Sequence, residues 1–400
     1  MSDRQNTRLA FVFLAAWALG PLAAHAVGYR MPNQDPEAIA RGNAFAATAD
    51  NPSAIYYNPA GITQMDGNNI DAGLYVVTGG YTYESPTGTK VDAKSEFVPV
   101  PQLFYVYSPQ ELPLSFGLGM YAPYGLSLDW GENTPFRTLA EKGSLTYLTI
   151  NPVIAWKIHP ALSIGIGPTI NYSSADFQQG IGLVPNDTFR LKGDGWDYGF
   201  NAGLRWQPLE KWAFGINYRS ATTVDYEGTA ATAIPFVFSG TTLASARIQF
   251  PQYVVGGLSF RPTEDWNLEF NLDWTDWDSV HQISINTPSG STPLLLNYRS
   301  SFMYEIGVTR QLGKGYWASL GYFYSENSSP DKNFTPIIPD TDLHLGGIGF
   351  GHKGKHWDWA AAYQFGYCPG RTVSGDTSPL ADGIYKVFNN AFNLSATLKF

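Results

Sequence analysis

From residue 68 to Phe400 the chain keeps a period of two. Leu162, Ile164, Ile166, Pro168, Ile170 and Tyr172 alternate with Ser163, Gly165, Gly167, Thr169 and Asn171. Trp266, Leu268, Phe270, Leu272 and Trp274 alternate with Asn267, Glu269, Asn271 and Asp273. Phe392, Leu394, Ala396, Leu398 and Phe400 alternate with Asn393, Ser395, Thr397 and Lys399. This is the period of a β-strand with one apolar face and one small or polar face. In a soluble sandwich the apolar face would be an interior, and aromatics would have no reason to favour strand ends. In a lipid-embedded barrel the apolar face meets acyl chains, and Trp and Tyr gather at the two interfaces.

Fourteen strands are predicted, at 68–83, 97–107, 114–124, 144–157, 162–174, 195–206, 212–226, 246–261, 265–277, 299–311, 316–326, 342–353, 357–367 and 389–400. An even number lets both chain ends lie on one side. Short connections carry turn chemistry, as at Ser108-Pro109-Gln110-Glu111, Pro262-Thr263-Glu264-Asp265 and Leu312-Gly313-Lys314-Gly315. They alternate with long ones at 84–96, 125–143, 175–194, 227–245, 278–298, 327–341 and 368–388. Short turns on one side and long loops on the other are the pattern of an outer-membrane barrel. No repeat of blade length supports a propeller.

Composition agrees. Charged residues are 15% of the chain, against an average of about 25%. The 41 Gly suit turns, and the 12 Trp, 24 Tyr and 24 Phe suit aromatic girdles. The single Cys368 permits no intrachain disulfide. A net charge of −9 argues against a nucleic-acid surface. Residues 1–26 read as a secretory signal, with Arg4 and Arg8, an apolar run from Leu9 to Leu22 and an Ala24-His25-Ala26 cleavage site. No later stretch approaches the roughly 18 apolar residues of a spanning helix. An exported chain without such a helix is a periplasmic or secreted protein, or a barrel.

Residues 27–67 lie between the signal and the strands. Their centre, Gly42 to Met65, is rich in small residues and holds no Lys or Arg. Asn51-Pro52 and Asn58-Pro59 each force the Asn out of the helical region, so the stretch reads as two or three short helical turns. A compact piece ahead of a strand series reads as a plug. The expected organisation is 1–26 signal peptide, 27–67 N-terminal hatch and 68–400 outer-membrane β-barrel. The fold class is all-β: a transmembrane antiparallel barrel whose lumen is filled by a small, mostly helical hatch.

Several motifs resemble the FadL family of outer-membrane long-chain fatty acid and hydrocarbon transporters. They are Ala38-Ile39-Ala40-Arg41-Gly42-Asn43-Ala44-Phe45, Asp50-Asn51-Pro52-Ser53-Ala54 and Asn58-Pro59-Ala60-Gly61-Ile62, which look like that family's hatch and its NPA signature. Tyr218-Arg219-Ser220, Asp273-Trp274-Thr275-Asp276-Trp277 and Pro123-Tyr124-Gly125-Leu126 look like three of its strand motifs. The likeness covers essentially the whole chain after the signal. It implies passive uptake of a hydrophobic small molecule, captured at extracellular loops, passed to a lumen site and released by hatch rearrangement and sideways diffusion at a kinked third strand. Long-chain fatty acids are the expected substrate, with aromatic or aliphatic hydrocarbons the alternative. The implied setting is a monomer in the outer membrane of a Gram-negative cell, among lipid and lipopolysaccharide, placed there by the barrel-assembly machinery. No cofactor and no metal is expected.

Candidate site residues fall into four groups. Asn58, Pro59, Ala60 and Gly61 are the expected hatch or gate, the Asn capping a turn while the Pro fixes the exit direction. Pro123, Tyr124 and Gly125 are the expected kink, since Pro123 has no N–H to give a ladder. Ile181, Leu183, Val184, Phe189, Ile234, Phe236, Val237 and Phe238 make two long loops unusually apolar, as capture in water requires. Their other reading is a cap packed over the barrel mouth. By strand parity Arg205 and Arg219 point inward, either to meet a substrate carboxylate or to pair with the inward Asp197, Glu269, Asp273 and Glu305. The loop at 175–194 holds Gly180, Gly182, Pro185 and Gly193 and disfavours a long helix, whereas Thr134 and Pro135 open a helical pattern in the loop before it.

Other classes fare worse. A barrel enzyme of lipase or protease type would be expected to show a G-x-S-x-G elbow or an H-E-x-x-H pair, and the sequence has neither. A general porin would lack a plug of this size before its first strand. The reading is therefore a transporter and not an enzyme.

Overall fold

The computed structural model describes residues 28–400; the expected signal at 1–26 and Val27 lie outside the described residues. In chain order the strands are β1 (Gly67–Glu84), β2 (Lys90–Asp92), β3 (Glu96–Ser108), β4 (Leu114–Asp129), β5 (Lys142–His159), β6 (Leu162–Gln179), β7 (Thr188–Leu209), β8 (Trp212–Arg219), β9 (Thr222–Ile234), β10 (Phe238–Phe250), β11 (Tyr253–Thr263), β12 (Trp266–Thr275), β13 (Gln282–Thr287), β14 (Gly290–Leu295), β15 (Ser301–Gly313), β16 (Tyr316–Ser325), β17 (Leu343–Lys353), β18 (Trp357–Val373) and β19 (Gly383–Lys399). Fourteen of them form a closed antiparallel wall, leaving out β2, β9, β10, β13 and β14. Closure comes from β1 against β19, continuous from Asn69 opposite Lys399 to Glu84 opposite Ile384. A closed sheet leaves no backbone edge facing lipid.

The wall is turned inside out relative to a soluble core. Leu394 is 62% exposed, Leu320 60% and Ile348 55%, while Asn201, Asn217 and Asn271 across the pleat are at most 1% exposed. The alternation expected from sequence is therefore the observed one, with apolar residues outward and polar residues in the lumen.

Two sequence expectations are corrected here. The predicted strands 212–226 and 246–261 each divide, at Ser220-Ala221 and at Pro251-Gln252. Above the breaks β9 and β10 leave the wall as a hairpin, with β9 lying against the outer end of β7. Pro251 interrupts the ladder because it has no N–H, yet the period of two runs on past the break. The helical pattern opened by Thr134 and Pro135 is a series of turns. Only Ala140 N–H reaches back four residues, to Phe136 O (3.1 Å). The Arg137 side chain turns instead to Asp187 and Glu141.

The lumen has two storeys. Residues 30–66 fill the lower one, while Tyr29 reaches into the upper. The upper one is filled by apolar side chains from inward-folded loops, including Trp130, Phe136, Phe334, Ile337 and Ile338. Trp130 Nε1 donates to Pro336 O (2.8 Å) and ties two of these loops together.

Candidate functional site

The hatch is built from short capped turns. Asp35 caps α1 (Pro36–Ala40), accepting from the N–H groups of Glu37 (2.9 Å) and Ala38 (3.0 Å), with Pro36 at the first helical position. α2 (Ala54–Tyr57) ends at Asn58, which at once caps the 3₁₀ turn Pro59–Gln64 by accepting from Ala60 N–H (3.2 Å). The Asn58 amide donates to Ala46 O (2.7 Å) and to Leu204 O on β7 (3.0 Å). One residue thus ends one turn through its backbone N–H to Ala54 O (2.8 Å), and with its side chain starts the next and fastens it to the wall.

The wall makes room where the hatch touches it. A Cβ on Gly165 would strike the Pro59–Ala60 peptide, one on Gly203 the Asn58 side chain, and one on Gly215 the Ala46 carbonyl. Gly307 and Gly321 stand against Arg41 in the same way, and Gly347 against Ile39. Within the hatch, Gly61 lies against Ala49 with no room for a side chain.

Charged groups fix this seat. Glu269 on β12 accepts from Ala47 N–H (2.7 Å), Thr48 N–H (3.2 Å) and the Thr48 hydroxyl. Arg205 Nε donates to Ala47 O (3.0 Å). Lys353 on β17 lies 3.2 Å from Glu37 and 3.3 Å from Asp50, and Glu37 also holds Arg41. Burial alone would raise the Asp50 carboxyl, but Lys353 and Arg41 together hold it well below its usual range. Asp35 has no such partner. Burial and the neighbouring Glu37 push it up to about 6 despite its cap bonds.

A window interrupts the wall between β3 and β4. Their ladder runs only from Tyr107 opposite Phe116 to Leu103 opposite Met120. Beyond it β4 bulges, its register with β5 shifting between Tyr121 and Tyr124 around Pro123. Past the gap, Lys94 just ahead of β3 donates its N–H to Asp129 O of β4 (2.8 Å), and Ser127 and Glu96 bond through their side chains. Inside the window the leading hatch segment takes the place of β3. Met31 N–H donates to Pro123 O (2.8 Å), Gly125 N–H donates to Tyr29 O (2.9 Å), and Arg30 lies opposite Tyr124. Gln34 Nε2 donates to Ala122 O (2.7 Å), while Gln102 of β3 donates to Asn33 O (3.1 Å). Met31 packs with Val98, Val100 and Ala122.

The segment in the window is held on the lumen side by two anchors. Arg30 makes a bidentate pair with Asp273 (2.7 Å for each bond), donates to Thr275 (2.6 Å) and lies 3.5 Å over the Tyr253 ring. Removing one partner of such a buried pair costs about 3–5 kcal/mol. Tyr29 puts its ring among Trp277 (4.9 Å between centroids), Phe250 (5.4 Å) and Tyr124 (6.1 Å), and its hydroxyl donates to Gln249 O (2.5 Å).

Arg219 stands beside this group. It donates to the hydroxyls of Tyr121 (2.5 Å) and Tyr253 (3.0 Å), with Tyr56, Tyr121 and Tyr253 rings within 6 Å of its guanidinium. Neither Arg205 nor Arg219 forms an ion pair with a carboxylate among the described residues. The inward Asp273 that sequence parity offered to them is taken by Arg30.

The two apolar loops are neighbours, since Phe189 lies opposite Thr232. Phe236, Val237, Phe238 and Leu183 are exposed, with Phe236 fully so. Ile181, Val184 and Ile234 are half-buried, and Phe189 packs on the upper lumen cluster. Asp187 shapes the first loop by accepting from the N–H groups of Ile181, Gly182, Leu183 and Val184 at 2.6–3.1 Å. Tyr29, Arg30, Gln34 and Lys353 are absent from the candidates read from sequence, and Glu269 stands there only as a partner for an inward arginine. The one available signal was Arg30, a lone charge in an apolar stretch.

The chain matches the family described as outer membrane protein transport protein (OMPP1/FadL/TodX) over residues 18–368. It is 22% identical over 346 residues to the long-chain fatty acid transport protein of Escherichia coli K12, covering 74% of this chain and 77% of that protein. It is 27% identical over 403 residues to a putative outer membrane protein of Neisseria meningitidis, covering 84% and 86%. Among solved structures it is similar to a Pseudomonas aeruginosa FadL homologue (TM-score 0.84, 19% identity, 93% of this chain and 100% of that one). It is also similar to the Pseudomonas putida toluene transporter TodX (TM-score 0.77, 16% identity, 94% and 100%). With its closed fourteen-stranded wall, this chain is an outer-membrane β-barrel and belongs to the OMPP1/FadL/TodX family of transport proteins.

Proposed function

We propose that the chain takes up hydrophobic small molecules passively, long-chain fatty acids first among them, and releases them sideways into the membrane through the β3–β4 window. Capture takes place at the apolar loops around Leu183 and Phe236. The substrate then enters the aromatic upper lumen, displaces Tyr29 and draws residues 29–34 out of the window. The observation that carries this reading is that a hatch segment, and not β3, bonds the edge of β4 at Pro123 and Gly125. A straight path downward would cross the polar, hydrogen-bonded hatch, whereas the window faces acyl chains.

Magnitudes are compatible. A net hydrogen bond contributes about 1 kcal/mol, so the few bonds across the window hold it by several kcal/mol. Burying one CH₂ group returns about 0.8 kcal/mol, so part of one fatty acyl chain offsets them. Arg219, without a carboxylate partner beside the kink, favours a carboxylate substrate. The ring position held by Tyr29 favours a second reading, a single-ring hydrocarbon stacking edge-on among Phe250, Trp277 and Tyr124.

Arg30 and Tyr124 are a close, non-hydrogen-bonded antiparallel pair, so cysteines at both should bridge. The test uses Arg30→Cys with Tyr124→Cys in a Cys368→Ser background. Oxidised protein in outer-membrane vesicles should take up labelled oleate at least tenfold more slowly than the same protein reduced. Equal rates in the two redox states would sink the window as the exit.

A further inference from the structure

We propose that the outer wall carries a binding site for one glycerophospholipid of the periplasmic leaflet, with Arg310 on its phosphate and an acyl chain in a trough across β15–β19. The trough has a volume of about 670 Å³ and spans β12 and β15 to β19. Its floor is made of small outward residues, Ala318 and Ala361. Its walls are Leu320, Ile348, Phe350 and Leu394.

The head of the trough is charged. Arg310 is exposed on the outer face, two residues before the short turn at Leu312, and lies opposite both Trp266 and Ala318. Its guanidinium sits 5.2 Å from the Trp266 ring, and no carboxylate pairs with it among the described residues. Outward Trp266, Tyr316, Trp357 and Trp359 stand at the same end of the wall, the level that interfacial aromatics mark. An unpaired guanidinium at that level, above an apolar trough, matches a phosphodiester joined to an acyl chain. Phosphatidylethanolamine and phosphatidylglycerol share this chemistry, and the site reads the phosphate they have in common. It lies apart from the β3–β4 window, so its failure would leave the transport reading untouched.

Native mass spectrometry of the full-length detergent-solubilised protein tests it, with phosphatidylethanolamine, phosphatidylglycerol and diacylglycerol as probes. Heat-modifiable gel migration verifies that each variant has folded. The wild type should hold either phospholipid at least tenfold more than diacylglycerol. Arg310→Ala should abolish that preference, and Ala318→Phe with Ala361→Phe should lower retention of all three while leaving Arg310 in place. A preference that survives Arg310→Ala, or retention unchanged in the filled trough, overturns the site. A protein dimer that disappears only in the filled trough would overturn it as well, by making the face a contact between copies.

Discussion

Three inward arginines show how much the same side chain depends on its neighbours. Arg30 is neutralised by Asp273, Arg205 holds a hatch carbonyl, and Arg219 has only phenol oxygens and ring faces. Parity along a strand placed Arg205 and Arg219 in the lumen, but Ala47, Tyr121 and Tyr253 come to them from 158, 98 and 34 positions away, and no local pattern names them. Replacing Arg219 by Met keeps the length and removes the charge. A charged hydrogen bond contributes about 1.5–3 kcal/mol, so oleate affinity measured by calorimetry should fall at least tenfold while toluene affinity moves little. An equal loss for both would mean that Arg219 serves packing alone. Asp35 makes a second prediction at this scale. Its folded pKa of about 6 lies above the unfolded value of about 3.9. Its protonation therefore favours the folded hatch below the unfolded value, and that contribution is lost as pH rises through the folded one, a difference of roughly 3 kcal/mol. Asp35→Asn keeps the cap acceptor. It should raise hatch protection in hydrogen exchange at pH 7 and flatten its change between pH 4 and 6. A wild-type slope persisting in the variant would assign it to another group.

At the scale of elements, the hatch holds because a few side chains each join two turns and a strand. Asn58 is the clearest, bonding Ala60, Ala46 and Leu204. Asn58→Ala with Pro59→Ala removes these bonds and the fixed φ that directs the chain into the 3₁₀ turn. The loss should be about 2–4 kcal/mol, confined to the hatch, since the wall ladders do not involve either side chain. Uptake of oleate should fall while heat-modifiable migration stays normal, and unchanged uptake in a folded variant would count against a gated hatch. The sequence showed these turns through their Asn-Pro steps, and the wall through its period of two. It did not show that β9 and β10 leave the wall, because the alternation crosses Pro251 unchanged while the apolar row turns from lipid, as at Leu258, to the buried upper cluster, as at Ile248 and Phe250. Nor did it show the segment at Tyr29–Met31 as a strand substitute, because three residues without a period carry no local signal.

The whole molecule is two bodies, wall and hatch, that meet in buried clusters such as Phe45, Ile55 and Ile62 against Phe104, Val106 and Val153. The wall takes its cohesion from ladders and lipid contact, and its lumen face mixes polar residues with apolar ones that the hatch covers. The hatch takes its place from these clusters, from ion pairs such as Arg30 with Asp273, and from glycines at which wall and hatch backbones nearly touch. Such a seam lets one body be moved without unfolding the other. Gly215 tests this directly, since any Cβ there falls on the Ala46 carbonyl while its strand partners Gly257 and Arg205 stay paired through backbone alone. Gly215→Val suits a strand and should leave fourteen-stranded assembly intact by circular dichroism and gel migration. The unseated hatch should open a water path, read as ion conductance at least several-fold above wild type in planar bilayers. If the barrel instead failed to assemble, the two bodies would be one cooperative unit, and uptake would have to proceed by local fraying of the window and not by movement of the hatch.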